Sequence, residues 1–241
     1  MDKVWYPSVT VIIPARNEEG NIAEIIQQLN QTGYDKILVV DGNSMDRTVE
    51  NAKEFGANVI IQNGKGKGTA LRQAFNHTDL NSDTVVMMDA DGSMNPKEIP
   101  LLIKALDSGV DLVKGSRFLP YGHSEDINLL RKIGNHFFVS LVNWFWSANY
   151  TDLCYGFAAF RKEAIEKLNP HLKGKNFEIE TEVFIKAMKL GLKVREVPSV
   201  EFKRRHGKSN LSVFRDGFRI LRTILRELID RRQIRSKSTS K

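Results

Sequence analysis

The sequence predicts an α/β fold, with a mostly parallel central sheet, helices on both faces, and amphipathic C-terminal helices. Three observations lead there. Short runs of β-branched and apolar residues recur along the first half, each followed by a segment with helical apolar spacing. Runs that are apolar on both faces belong to parallel strands covered on both sides. The polar clusters follow those runs directly, and such sheets bind ligands at the carboxyl ends of their strands.

The elements follow in order. Val9–Ile13 is the first strand. Asn17 reads as an N-cap with Glu18 and Glu19 in the first turn, and Ile22, Ile25, Ile26 and Leu29 give a helical face. Lys36–Val40 is the second strand, followed by a helix from about Asp46. Asn58–Ile61 is the third, followed by a Gly/Lys loop and a helix through Ala70, Leu71 and Phe75. Thr84–Met88 is the fourth. Pro96 marks a helix start, with Ile99, Leu102, Ile103 and Leu106 on one side. Asp111–Lys114 is the fifth strand. Beyond Gly115 the pattern changes. Leu129–Trp146 is a helix rich in aromatics, Phe177–Leu190 another helix, Lys193–Pro198 a short strand, and a last helix covers about Ser212–Arg232.

A chain of 241 residues with 41% hydrophobic content can bury one full core. We expect one domain, a core unit over residues 1–211 with 212–241 as its basic amphipathic helix and tail. The single cysteine, Cys154, excludes an intramolecular disulfide and a cysteine zinc site, and the five histidines show no ligand spacing. The N-terminus does not read as a signal peptide, and no run approaches the roughly 18 apolar residues of a spanning helix. The net charge is +7. It is concentrated from Phe202 onward, with 13 Lys/Arg against three Asp/Glu, whereas the rest carries 23 basic and 26 acidic groups. Such an end suits an anionic partner.

Four polar clusters follow strands: Pro14–Glu18, Asp41–Ser44, Asn63–Gly68 and Asp89–Ser93. Asp89 and Asp91, one residue apart at a strand end, can both reach one Mg²⁺ or Mn²⁺, a hard cation that takes oxygen ligands and substrate phosphates. A solvated Asp-Gly turn is the alternative reading. Asp41 could hydrogen-bond a base or ribose, with a plain turn again the competitor. Lys67 opens a helix and could meet phosphate, although an exposed loop is the commoner outcome and the P-loop pattern is absent. Arg131 and Asn135 share a helix face, and with Arg117 they would suit a phosphate acceptor. In the last helix Phe214, Phe218, Leu221, Leu225 and Leu228 form one stripe. Arg215, Arg219, Arg222 and Arg226 form a second, within a sector of about 60°. The pair of stripes suits either a lipid interface or docking on the core.

Seven segments in order carry a resemblance: VTVIIPARNEEGNI, VVDGNSMDRT, MMDADGS, GSRF, TDLCYGFAAFRKEAI, FEIETEVFIKAMKLGLKVREVP and RRHGKSNL. The chain resembles family-2 glycosyltransferases of GT-A fold, in the polyprenyl-phosphate sugar synthase branch similar to dolichol-phosphate mannose synthase. The resemblance implies an inverting enzyme that moves glucose or mannose from a UDP- or GDP-sugar to polyprenyl or dolichyl phosphate. Its place would be peripheral, on the cytoplasmic face of a membrane with an anionic surface, and nucleic acid is not an expected partner. Pro14, Ala15, Arg16, Asn17, Glu18, Asp41, Lys67, Asp89, Ala90, Asp91, Arg117 and Arg204 would bind the donor, Asp89 and Asp91 through metal. Arg117, Arg131 and Asn135 would receive the acceptor phosphate. Asp91 and Asp152 are the implied catalytic carboxylates. Asp152 would be a base for a hydroxyl acceptor and an orienting group for a lipid phosphate, which is already ionised.

The chain has Ser93 where such relatives usually carry Gln, Asn210 where they carry Lys, and Cys154-Tyr155-Gly156-Phe157 in place of Ser-Gly-Phe. The donor is thus left open between UDP- and GDP-sugars. Three rivals stand beside this reading: a same-fold transferase acting on a glycan hydroxyl; less favoured, a sugar-phosphate nucleotidyltransferase; and a non-catalytic binder of nucleic acid or membrane driven by the basic end, which leaves the acidic strand-end clusters unexplained.

Overall fold

The computed structural model describes residues 8–77, 82–207 and 209–238, with side chains described as far as residue 230. Seven strands form one sheet in the order β3-β2-β1-β4-β7-β5-β8. They are β1 (Val9–Ala15), β2 (Ile37–Asp41), β3 (Asn58–Ile61), β4 (Thr84–Met87), β5 (Leu112–Ser116), β7 (Ala158–Arg161) and β8 (Val194–Pro198). All pairings are parallel except those of β7, which runs antiparallel to β4 and β5. The expected mostly parallel sheet is present. The short run Ala158–Arg161 adds a strand that the periodicity does not single out. Two short strands, β6 (His123–Ser124) and β9 (Val200–Glu201), pair beside the main sheet.

Alternation along each strand feeds two cores, as a sheet covered on both faces requires. Val11, Ile13, Val39, Val86 and Val113 pack on one side with α1 (Ile22–Gln31), α2 (Thr48–Glu54) and α4 (Ile99–Leu106). Ile12, Leu38, Val40, Val85 and Met87 pack on the other. There they meet α3 (Lys67–Phe75), α5 (Leu129–Trp146), α6 (Lys162–Leu168), α7 (Glu178–Lys189) and α8 (Val213–Ser238).

Local signals explain most boundaries. Pro96 opens a 3₁₀ turn that runs into α4, and the Asn95 side chain accepts from the Lys97 amide. Asn128 caps α5 by accepting from the Arg131 amide, and the helix ends at Ser147 in the left-handed region. Asn17 does not cap α1, which begins only at Ile22. Asn17 sits instead at φ 54°. Its amide donates to Ser44 and its side-chain oxygen accepts from the Met45 amide, tying the loop after β1 to the loop after β2. Asp46 serves the start of α2 by accepting from the Thr48 amide at 3.0 Å.

The chain leaves β1 toward β2 and β3 on one side and places β4 on the other. This reversal between β1 and β4 opens a crevice at the carboxyl ends of the strands, where α/β sheets hold ligands.

Candidate active site

A crevice of about 560 Å³ lies at that reversal. Pro14, Ala15, Arg16 and Glu18 line it from the end of β1, and Asp89, Ala90, Asp91 and Ser93 from the end of β4. The four polar clusters do converge here, each supplying at least one lining residue or its direct neighbour.

Lys67 sits on the floor. Its ammonium contacts Asp89 and Glu180, the latter at 2.5 Å. Burial alone would lower its pKa, but the two carboxylates outweigh burial and hold the ammonium charged. Backbone space makes this possible. A Cβ on Gly66 would lie 2.2 Å from the Lys175 carbonyl, and one on Gly68 2.6 Å from that of Gly174. A Cβ on Gly156 would lie 2.8 Å from both Lys67 Nζ and Glu180 Oε1. The glycines around Lys67 are therefore set by close approach of the 174–176 loop and of the Lys67–Glu180 pair.

Glu180 escaped the sequence reading. It is one of three glutamates in α7, and helical spacing separates their tasks. Glu178 and Glu182, four apart, share a face. Glu178 accepts from the Lys175 and Asn176 amides, and Glu182 from the Lys173 and Gly174 amides. Glu180, offset by two, faces the crevice. The i, i+2, i+4 pattern was the available signal.

Arg204 bridges the remaining acids. Its Nη1 lies 2.9 and 3.0 Å from the oxygens of Glu18, and its Nη2 3.4 Å from Asp91. Asp91 also accepts from the Ser93 amide at 3.0 Å. Burial pushes Glu18 above the usual carboxylate range, against the pull of Arg204 and Asn21.

Asp89 and Asp91 both face the crevice and remain partly exposed. Among the described residues no cluster of three or more metal-ligating side chains accompanies them. Two hard carboxylates of this kind fit Mg²⁺ or Mn²⁺ completed by phosphate and water, not an all-protein cage.

The other expected site residues divide between the crevice and the interior. Asp41 is buried and accepts from both the amide and the hydroxyl of Ser44, so the acidic turn satisfies itself, while Val40 and Gly42 line the crevice. Asn135 is buried, and its oxygen accepts from the Leu153 amide at 3.0 Å. Arg131 does reach the crevice, paired with Asp126 at 3.1 Å.

Arg117 requires a correction. Its Nε and Nη2 donate to Asp152 at 2.7 and 3.0 Å, and Nη2 also to the Cys154 carbonyl at 3.1 Å. Its Nη1 donates to both oxygens of Glu201 at 3.2 and 3.1 Å. A guanidinium has five N–H groups, and all five are used. Arg117 is a buried strut, with no donor left for phosphate. Asp152 is fully buried, and each of its oxygens accepts from Arg117. Desolvation opposes its charge, yet Arg117 and Lys114 hold its pKa below the usual carboxylate range.

The sequence profile described as Glycosyl transferase family 2 matches residues 10–169. The chain belongs to glycosyl transferase family 2. Within the family it is similar to the dolichol-phosphate mannosyltransferase of Pyrococcus furiosus, at 34% identity over 84% of this chain and 59% of that protein. It is also similar to the UDP-N-acetylglucosamine–dolichyl-phosphate N-acetylglucosaminyltransferase of Methanococcus voltae, at 29% identity over 95% and 99% of the two chains. Glucosyl-3-phosphoglycerate synthase from Mycobacterium tuberculosis, solved with Mn²⁺, UDP and phosphoglyceric acid, superposes with a TM-score of 0.74. It is 21% identical, with 92% of this chain and 78% of that one covered, and supports the GT-A fold of this family-2 enzyme.

Proposed function

We propose that this glycosyltransferase transfers a hexose from a nucleoside diphosphate sugar to a polyprenyl or dolichyl phosphate at a membrane surface, with inversion at the anomeric carbon. The observation that carries the lipid acceptor is the setting of the crevice mouth. The crevice opens beside α5 and α8, which keep Leu130, Ile133, Phe137, Phe214 and Phe218 exposed. Exposed apolar faces of this kind mark contacts with a membrane or a partner, and a membrane contact at the crevice mouth would bring a lipid-borne acceptor to the site. A hydroxyl acceptor also needs a base, and both oxygens of Asp152 are held by Arg117. A phosphate monoester arrives ionised and needs none.

In this reading the loop after β1 holds the nucleotide, and Arg204 and Lys67 meet its diphosphate. Both cations are now paired with Glu18, Asp89, Asp91 and Glu180, so they exchange partners or share them when the donor arrives. Asp89 and Asp91 would hold Mg²⁺ or Mn²⁺, which neutralises charge on the leaving diphosphate. The acceptor phosphate oxygen attacks the anomeric carbon from the face opposite the diphosphate. The new C–O bond forms as the bond to the donor's diphosphate oxygen breaks, and the nucleoside diphosphate departs with the electron pair. The transition state has oxocarbenium character. The buried Arg117–Asp152–Glu201 cluster keeps the crevice wall rigid.

The test is transfer of labelled sugar from a panel of UDP- and GDP-sugars into polyprenyl phosphate, with and without chelator. One donor is expected to label the lipid, and chelator or Asp91→Ala should lower the rate by at least about 100-fold, the scale of losing one transition-state electrostatic contact. Donor hydrolysis without lipid labelling would disprove the acceptor assignment.

A further inference from the structure

Helix α7 brings one more acid to the floor of the crevice. Glu180 is only 6% exposed, yet it lines that floor. Its Oε1 accepts from Lys67 at 2.5 Å, whereas its Oε2 accepts from no described residue. The Oε2 of Glu178 also lacks a partner, but it is fully enclosed. That of Glu180 keeps an opening to the crevice. Gly156 preserves the opening. A Cβ there would lie 2.8 Å from both Glu180 Oε1 and Lys67 Nζ, so any side chain at this lining position would crowd the pair.

Position indicates which part of the donor meets Glu180. Lys67 contacts Asp89 and Glu180 together, so one ammonium group separates Glu180 from an acid of the candidate metal site. That site serves the donor's diphosphate, and the sugar is bonded directly to the diphosphate. The next group along the floor is therefore in reach of the sugar ring. Its chemistry fits. A carboxylate oxygen accepts from a hydroxyl, and charged acceptors make the stronger hydrogen bonds. Phe177 stands three residues before Glu180 on the same helical face. It also lines the crevice, with Lys67 Nζ 5.7 Å from its ring centre. A hexose answers both side chains at once, with hydroxyls at its rim and C–H groups on its faces.

We propose that Glu180 accepts a hydrogen bond from one hydroxyl of the donor's hexose, with Phe177 against the ring, and that this contact selects the sugar. The assignment rests on the nucleoside diphosphate sugar reading above and is independent of the acceptor. Glu180 is a sugar-binding residue in this scheme, and no bond to carbon forms or breaks at it. Lys67 has three N–H groups and spends two, on Asp89 and Glu180. The third remains for the diphosphate, so one lysine joins phosphate binding to sugar recognition. A sugar lacking the hydroxyl leaves a buried carboxylate oxygen without its donor, which is how a polar site rejects the wrong substrate.

The experiment is calorimetric titration of the full chain, in Mn²⁺, with UDP-glucose, UDP-N-acetylglucosamine and GDP-mannose. Deoxy analogues of whichever binds follow, each lacking one hydroxyl. One analogue should bind wild type about 10- to 100-fold more weakly than its parent, the scale of a hydrogen bond to a charged group. In Glu180→Ala that penalty should shrink to within about three-fold, while the ratios for the other analogues and the affinity for the nucleoside diphosphate stay within about two-fold. Should the alanine variant fail to fold, Glu180→Gln keeps the side-chain shape and should shrink the same penalty at least about three-fold. An unchanged penalty in a folded variant would overturn the proposal. So would an equal weakening of every ligand, the nucleoside diphosphate included, because that marks a structural role. Turnover lost with the penalty intact would place Glu180 in the reaction itself and overturn the assignment too. If wild type binds none of the nucleotide sugars and neither UDP nor GDP, the donor reading fails. That outcome is distinct from a wild type that binds a donor and ignores every missing hydroxyl, which overturns only the role of Glu180.

Discussion

Arg117 and Asp152 form a fully enclosed pair, and neither half can be removed without stranding the other. Asp152→Asn would leave the Arg117 charge buried with only Glu201 opposite. Breaking such a pair costs about 3–5 kcal/mol, and denaturant unfolding at neutral pH should show it. The pH dependence has a definite sign. The pKa of Asp152 is lowered by folding, so its contribution is fully present above the unfolded value of 3.8. It is lost as the pH falls through the folded value. The stability gap between wild type and Asp152→Asn should therefore narrow only below about pH 4. This pair also shows where residue-level reading stops. An arginine after a strand suggests phosphate, but the partners of Arg117 lie 35 and 84 positions away. Only tertiary contact reveals that its donors are used. Asp89 and Asp91 are the opposite case, because a strand end alone places them at the crevice.

Helix α7 works through three glutamates, and the buried face that carries Glu178 and Glu182 is a clamp. Glu182 accepts from the amides of Lys173 and Gly174 and from Arg226 of α8. It thereby joins the C-terminal helix to the loop that presses on Gly66 and Gly68 beside Lys67. In Glu182→Gln one acceptor oxygen becomes a donor facing other donors, at a cost of about 1–3 kcal/mol. Amide hydrogen exchange at Lys173 and Gly174 should accelerate about 10- to 100-fold, while the β1 and β2 amides stay protected. Periodicity located α7 and α5 to within a residue because both are long and strongly patterned. It missed β7 because four residues, Ala-Ala-Phe-Arg, carry no strand signature of their own. Their pairing with β4 and β5 is fixed by register with distant segments.

Across the whole molecule, α8 divides the stripes read from the sequence. Ile220, Ile224 and Glu227 face the core, while Phe214, Phe218, Leu225 and Ile229 point outward. Of the apolar stripe, Phe214, Phe218 and Leu225 are exposed, Leu228 is half-buried, and Leu221 packs against the core, so the stripe splits between the two roles. The helix is held by a narrower seam that includes ion pairs of Glu227 with Lys186 and Lys189. Among the described residues no helix is long and apolar enough to cross a membrane. The exposed stripe is suited to lie on one. Phe214→Ser/Phe218→Ser should weaken binding to anionic vesicles by at least about 10-fold, since burying each phenyl ring contributes about 1.5–3 kcal/mol. Melting temperature should barely change, because neither ring is packed. Sedimentation with vesicles of graded anionic content measures the first effect, and retained binding would remove the apolar face from the membrane contact.

The antiparallel β7 has a consequence for how the chain is made. Until Ala158–Arg161 arrive, β4 forms the outer edge of a half-sheet ordered β3-β2-β1-β4. Its residues Thr84–Met87 are all buried in the finished protein. During synthesis that apolar edge stands open for more than seventy residues of further elongation, a span that includes the aromatic α5. Unpaired apolar edges recruit foreign strands. The nascent enzyme therefore passes through a vulnerable interval that ends only when β7 seals its middle.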